Sequence, residues 1–141
     1  LLYINDISQK IINEPNNASN YIKRARYYIN SKQYELVEKD TQKILSIDLN
    51  EDEKKETALI LDTLTDYNTR HNNIEKAFEL INQAICLCPN NPHYYLMRGG
   101  LYSDKNKFEE AKNDFEKGLS LSPSDVDKKF FEIHLEHLKE K

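Results

Sequence analysis

A chain of 141 residues that is 38% hydrophobic and 31% charged, with three Gly and four Pro, is long enough to bury a core and is composed for helix rather than sheet. The formal charge of −4 and the lack of a Lys/Arg cluster argue against a nucleic-acid partner. No apolar run approaches the ~18 residues of a membrane-spanning helix, and Cys86 and Cys88, one residue apart, fit a reducing compartment such as the cytoplasm better than a disulfide framework.

The chain opens on Leu1-Leu2-Tyr3 rather than Met, as a fragment of a longer protein would. The first predicted element is a helix over 2–14, readable as the second helix of an incomplete leading unit or as an N-terminal cap. An apolar patch there, around Leu2, Ile4 and Ile11, would favour stacking on another chain. Pro15-Asn16-Asn17 ends it. Residues 18–51 form a helix pair broken at Ser31-Lys32-Gln33. Asn50-Glu51-Asp52-Glu53 has the N-cap residue and the Glu three positions on that make a capping box, so the next helix is expected to begin near Glu51. That helix opens a second pair over 52–91 and projects about 1.5 turns further than the other first helices. It turns at His71-Asn72-Asn73. Pro89-Asn90-Asn91-Pro92 supplies a stop, an N-cap and a proline at the first helical position. A third pair over 92–123 turns at Lys105-Asn106-Lys107. Asn72 and Asn106 tolerate the left-handed conformation that a helix end needs. Ser124 with Asp127 opens a last helix over 124–141, whose predicted apolar stripe is Val126, Phe130, Ile133 and Leu138, with Lys128, Lys129, Glu132 and Glu136 opposite.

The three pairs repeat. The third carries Tyr95, Gly99, Tyr102, Phe108, Ala111, Phe115, Gly118 and Pro123. Stepping back 34 residues puts Ala77, Ile81, Ala84 and Pro89 at the last places, while Leu61, Thr65 and Asn68 replace Tyr95, Gly99 and Tyr102. A further step needs six extra residues and then aligns Tyr21, Ala25, Tyr28 and Tyr34, with a looser Val37, Thr41 and Ile44 behind them. Small residues at these spacings let helices approach, and the aromatics fill the gaps between them. Thr65 and Asn68 read as drift, or as a polar contact inside the second unit, since a buried Asn needs partners.

This pattern resembles the tetratricopeptide repeat family, closely in the third unit and less so in the other two. The resemblance implies an all-α fold, an α-solenoid of antiparallel helix pairs. It has three units, a partial N-terminal helix and a C-terminal capping helix, wound into a right-handed superhelix. It also implies a concave groove, lined by the first helix of each unit, that takes a peptide or helix of a partner protein. The face left after the packing positions offers Ile22, Lys23, Arg26 and Asn30 in the first unit. In the second it offers Leu59, Asp62, Thr63 and Asp66, and in the third His93, Met97, Gly100 and Asp104. Met97 and Ile22 would supply adaptable apolar contact. Family members that grip the acidic C-termini of heat-shock chaperones use Lys, Asn and Arg at places matching Ile22, Arg26, Thr63, His93 and Met97. Only one of these is basic here, which argues against a carboxylate clamp.

No catalytic site emerges. Cys86 and Cys88 at i and i+2 point to different helix faces, and no second pair completes a tetrahedral metal set. His134-x-x-His137 lies one turn apart without the spacing of a zinc-protease helix. Neither a cofactor nor a metal is expected. The sequence thus points to a non-catalytic scaffold for a partner protein, or alternatively to a structural module that self-associates through its solenoid ends.

Overall fold

The computed structural model describes residues 2–122 and 124–141, which form eight α-helices and no strand. In chain order they are α1 (Leu2–Asn13), α2 (Ala18–Asn30), α3 (Tyr34–Leu45), α4 (Glu51–Arg70), α5 (Ile74–Leu87), α6 (Pro92–Asp104), α7 (Phe108–Leu121) and α8 (Asp125–Lys139). Pro123, expected to close the third unit, lies outside the described residues.

Three turns share one backbone. Lys32, Asn72 and Asn106 have φ of 58°, 58° and 60°, the left-handed conformation in which a helix chain reverses. The next residue in each case donates its N–H five residues back: Gln33 to the Tyr28 carbonyl, Asn73 to that of Asn68 and Lys107 to that of Tyr102, at 2.8, 2.8 and 2.9 Å. The two asparagines are residues suited to this conformation; Lys32 is not, and the turn imposes it.

α4 has 20 residues against 13 in α2 and 13 in α6. Its start is a reciprocal capping box, the Glu53 N–H donating to Asn50 Oδ1 at 2.8 Å and the Asn50 N–H to Glu53 Oε1 at 3.0 Å. Residues 51–56 are therefore helix and not an irregular loop.

Packing divides the chain into Leu1–Leu64 and Thr65–Lys141, with the boundary inside α4. In the first half α2 packs on α1 and on α3, over a core that includes Ile7, Ile22, Ala25, Val37 and Ile44. In the second, α6 packs on α5 and α7, and α7 on α8, over Leu80, Ile81, Tyr94, Phe115 and Phe131.

The two halves follow one template at a spacing of 74 residues. α2, α3 and α4 start at Ala18, Tyr34 and Glu51; α6, α7 and α8 start at Pro92, Phe108 and Asp125. Pro15-Asn16-Asn17, Tyr21, Arg24, Tyr28, Asp40, Leu61 and Leu64 recur as Pro89-Asn90-Asn91, Tyr95, Arg98, Tyr102, Asp114, Leu135 and Leu138. α8 is thus the counterpart of α4.

Two expected apolar faces are corrected. On α1, Ile7 and Ile11 turn inward at 3% and 8% exposure, so Ile11 does not belong to the open patch; Leu2, Tyr3 and Ile12 are exposed instead. On α8 the buried residue is Phe131, with Leu135 and Leu138 packed against its cluster, whereas Val126, Phe130 and Ile133 face outward. The inward face is chosen by Gly118, where a Cβ would collide with the Phe131 ring.

Candidate functional site

Each half holds a guanidinium in a matching clamp, to which Arg98 adds a bond from Nη1 to Asn82 Oδ1 at 3.0 Å. Arg24 donates to Asp40 from Nε at 2.9 Å and from Nη2 at 2.5 Å, and Arg98 grips Asp114 the same way at 2.8 and 2.7 Å. Arg24 lies 5.7 Å from the Tyr21 ring centre and 5.8 Å from that of Tyr28; Arg98 lies 5.8 Å from Tyr95 and 6.0 Å from Tyr102. The Tyr21 and Tyr95 hydroxyls donate to the Pro15 and Pro89 carbonyls at 2.9 and 2.7 Å, tying each helix to the turn before it. The hydrogen-bonded carboxylate holds both guanidinium pKa values above their ordinary range, against the opposing effect of burial. Asp40 and Asp114 are nearly closed to solvent, so these are structural clamps that fix helix register rather than reactive groups. In the second pair the matching places hold Leu61, Leu64, Asn68 and Leu80. The two positions expected to be drift or a polar contact show the latter for Asn68, whose Oδ1 accepts from the Asn73 amide at 3.3 Å.

With the first helices fixed, their outer faces shape two clefts. In the first half, Arg26, Ile29 and Asn30 of α2 and Glu56, Leu59, Ile60 and Thr63 of α4 enclose about 250 Å³. The Arg26 guanidinium and the Glu56 carboxylate stand 3.9 Å apart at its edge, both well solvated. In the second half, Gly100, Ser103 and Asp104 of α6 face His134 and His137 of α8 across about 320 Å³. These positions are the first cleft again, 74 residues on: Gly100 for Arg26, Ser103 for Ile29, Asp104 for Asn30, His134 for Ile60 and His137 for Thr63. His134 packs edge-on to Phe115, and its Nδ1 is buried with no hydrogen-bond partner among the described residues. Burial, and secondarily His137, push its pKa below the usual imidazole range.

Of the twelve groove residues expected from sequence, Arg26, Asn30, Leu59 and Thr63 meet in the first cleft, and Gly100 and Asp104 in the second. Lys23, Asp62, Asp66, His93 and Met97 are not among the residues that line either cleft. Ile22 is corrected: at 1% exposure it is a core residue, because it points at the packing side of α2 and not at the cleft. Ile29, Glu56 and Ile60 were not anticipated, nor were Ser103, His134 and His137. The 74-residue recurrence is the signal that would have found the last three. Gly100 offers open space, with nothing within 4 Å of an added Cβ.

Among the described residues no three His, Cys, Asp or Glu cluster as a metal would require, and no helix is long and apolar enough to cross a membrane. Cys86 is exposed and Cys88 partly so.

Paired helices, repeated turns and helix-lined clefts define an all-α helical-repeat protein. Residues 92–125 match the family described as the tetratricopeptide repeat, so this stretch carries one such repeat. The fold is similar to the crystal structure of MamA at a TM-score of 0.66 and 17% identity, over 96% of this chain and 79% of that one. It is similar to PcrH from Pseudomonas aeruginosa at 0.64 and 12%, over 86% and 91%. It is also similar to the first such domain of Spaghetti (RPAP3), bound to an HSP90 peptide SRMEEVD, at 0.60 and 21%, over 87% and 90%. No curated protein matches the sequence.

Proposed function

We propose that this chain is a non-catalytic scaffold that binds an extended or helical segment of a partner protein, at the α2–α4 cleft of its first half or the α6–α8 cleft of its second. The observation that carries the reading is an exposed aliphatic residue on the wall of the first cleft that recurs, also exposed, at the corresponding place of α8. Leu59 is 60% exposed on α4, and Ile133, its counterpart on α8, is 51% exposed. A large apolar side chain held in water, as Leu59 is beside the concave surface that Asn30 also lines, is suited to anchor a partner's apolar side chain. The Spaghetti domain, which is similar in fold, has a peptide bound. That peptide is acidic, and this groove offers only Arg26 among the clamp places, so its ligand is of another kind.

The test is site-specific photo-crosslinking at Asn30 in lysate of the source organism, with and without Leu59→Asp. A single protein crosslinked by the parent and lost in the variant supports the groove. Equal capture by both sinks the groove reading. A second reading, a structural module acting through its ends, is favoured by one specific observation: Leu2, Tyr3 and Ile12 of α1 are exposed at 88%, 50% and 71%. Loss of concentration-dependent association on Leu2→Lys/Ile12→Lys would select it.

A further inference from the structure

The two clefts occupy corresponding places but differ in charge. In the first half Arg26 supplies a guanidinium, with the Glu56 carboxylate 3.9 Å away and the neutral Asn30 also lining the cleft. At the corresponding places the second half has Gly100 for Arg26, Phe130 for Glu56 and Asp104 for Asn30. A cation has been replaced by open space, and a neutral amide by a carboxylate. Packing does not account for the glycine. A Cβ at Gly99 or Gly118 would collide with a phenylalanine ring, whereas one at Gly100 would meet nothing within 4 Å. Glycine inside a helix is destabilising, and at Gly100 no close contact within the chain offsets that.

The surroundings of that space suit a flat cation. Asp104 is exposed at the end of α6 and forms no ion pair among the described residues, and the last turn of α6 holds no basic residue. Ser103, next to it, adds a hydroxyl that can accept a hydrogen bond. The cleft is lined by the last turns of α6 and α8, so the negative ends of two helix dipoles add to the carboxylate. On α8 the Phe130 ring is 49% exposed and lies 4.8 Å from the His134 ring, centre to centre, which offers an aromatic face to a guanidinium. Lys141 also lines the cleft without pairing with Asp104. Its ammonium is a point charge on a flexible stem and lacks the planar fork that binds a carboxylate and stacks on a ring together.

We propose that the α6–α8 cleft receives an arginine side chain of the partner segment, a step that rests on the groove reading above. Its guanidinium takes in trans the place that Arg26 occupies in the first half, bonded to Asp104, laid against the Phe130 and His134 rings and seated over Gly100. A lysine satisfies the charge but not the plane, and an acidic segment meets a like charge.

The probe is the blocked peptide acetyl-Ala-Leu-Arg-Leu-Ala-amide, compared with the same peptide carrying citrulline, an uncharged isostere, in place of the arginine. Two-dimensional NMR of the intact, isotope-labelled chain should show the Gly100, Ser103 and Asp104 amide signals shifting saturably with the arginine peptide. The citrulline peptide should bind at least about tenfold more weakly. Asp104→Asn, which copies the first half, should weaken the arginine peptide by about tenfold and leave the citrulline peptide unchanged. Gly100→Arg places the guanidinium in cis; nothing crowds that position, so circular dichroism should be unchanged while arginine-peptide binding is lost. The isosteric Asp104→Asn keeps the test decisive should Gly100→Arg disturb the helix. No shift at the cleft, equal binding of the two peptides, or undiminished arginine binding by Asp104→Asn or by a folded Gly100→Arg chain overturns the proposal. The crosslink at Asn30 reads the first cleft alone. A crosslink lost with Leu59→Asp, alongside no arginine binding, leaves the groove reading standing and removes this assignment.

Discussion

In the first and third helix pairs, corresponding positions hold Arg24 with Asp40 and Arg98 with Asp114, each guanidinium lying between two tyrosines. In the second pair they hold Leu64 and Leu80, with Leu61 and Asn68 where the tyrosines stand, and all four are buried. The replacement is concerted. Tyr21 and Tyr95 fasten their helices to a proline turn; α4 continues upstream to Glu51 with no such turn to fasten, and Leu61 has no hydroxyl. Corresponding positions therefore accept either a bidentate ion pair or two buried leucines, provided that both positions change together. Half a change leaves a charge buried alone.

That condition gives the largest expected effect. Asp114→Ala strands the Arg98 guanidinium, and chemical denaturation should show a loss of about 3–5 kcal/mol. The double variant Arg98→Leu/Asp114→Leu copies the second pair and should recover most of that loss. If the double variant proves as unstable as the single one, the ion pair contributes something that the aliphatic pair cannot replace.

The halves also differ by compensating volumes. Gly118 and Phe131 correspond to Ile44 and Thr57 at the 74-residue spacing. Because a Cβ at Gly118 meets the Phe131 ring, Gly118→Ala should destabilise by about 1–3 kcal/mol. Adding Phe131→Thr, which carries over the first half's solution, should relieve the strain. Failure of that rescue would show that α8 and α4 dock differently despite their register.

A third contrast separates α4 from α8: Ile60 against His134. Burial depresses the His134 pKa, so the folded state disfavours the imidazolium. Its contribution is complete above the unfolded value of about 6.5. As pH falls through that value the unfolded chain takes up the proton first, and stability is lost until the folded pKa is passed. The melting temperature should therefore drop on acidification by more in the parent than in His134→Leu. Parallel pH profiles would mean that His134 reaches solvent freely.

The period, the turns and the cap at Asn50 were legible because they depend on residue types with strong local preferences: Pro, Asn, small side chains and aromatics at fixed spacing. The clamps were not, because Arg24 and Asp40 look like surface charges until the fold brings residues 16 apart together. Ile22 was misplaced for a related reason. On a helix packed on two sides, a shift of one position moves a side chain from cleft to core. On α8 the stripe Val126, Phe130 and Ile133 fits a helical period as well as the true face does, and only the space left by Gly118 decides between them.

The smallest effect tests the turns, which share a backbone but not a residue. Asn72 and Asn106 tolerate the left-handed region; Lys32, at φ 58°, occupies it with a long side chain that gains nothing there. Lys32→Gly should raise stability by about 0.5–1 kcal/mol, because relief of the left-handed penalty exceeds the added entropy of the unfolded chain. Asn72→Gly should change it less. A reversed ranking would mean that the Lys32 side chain is held by contacts in the folded chain, and that the first turn is fastened by more than its backbone hydrogen bonds.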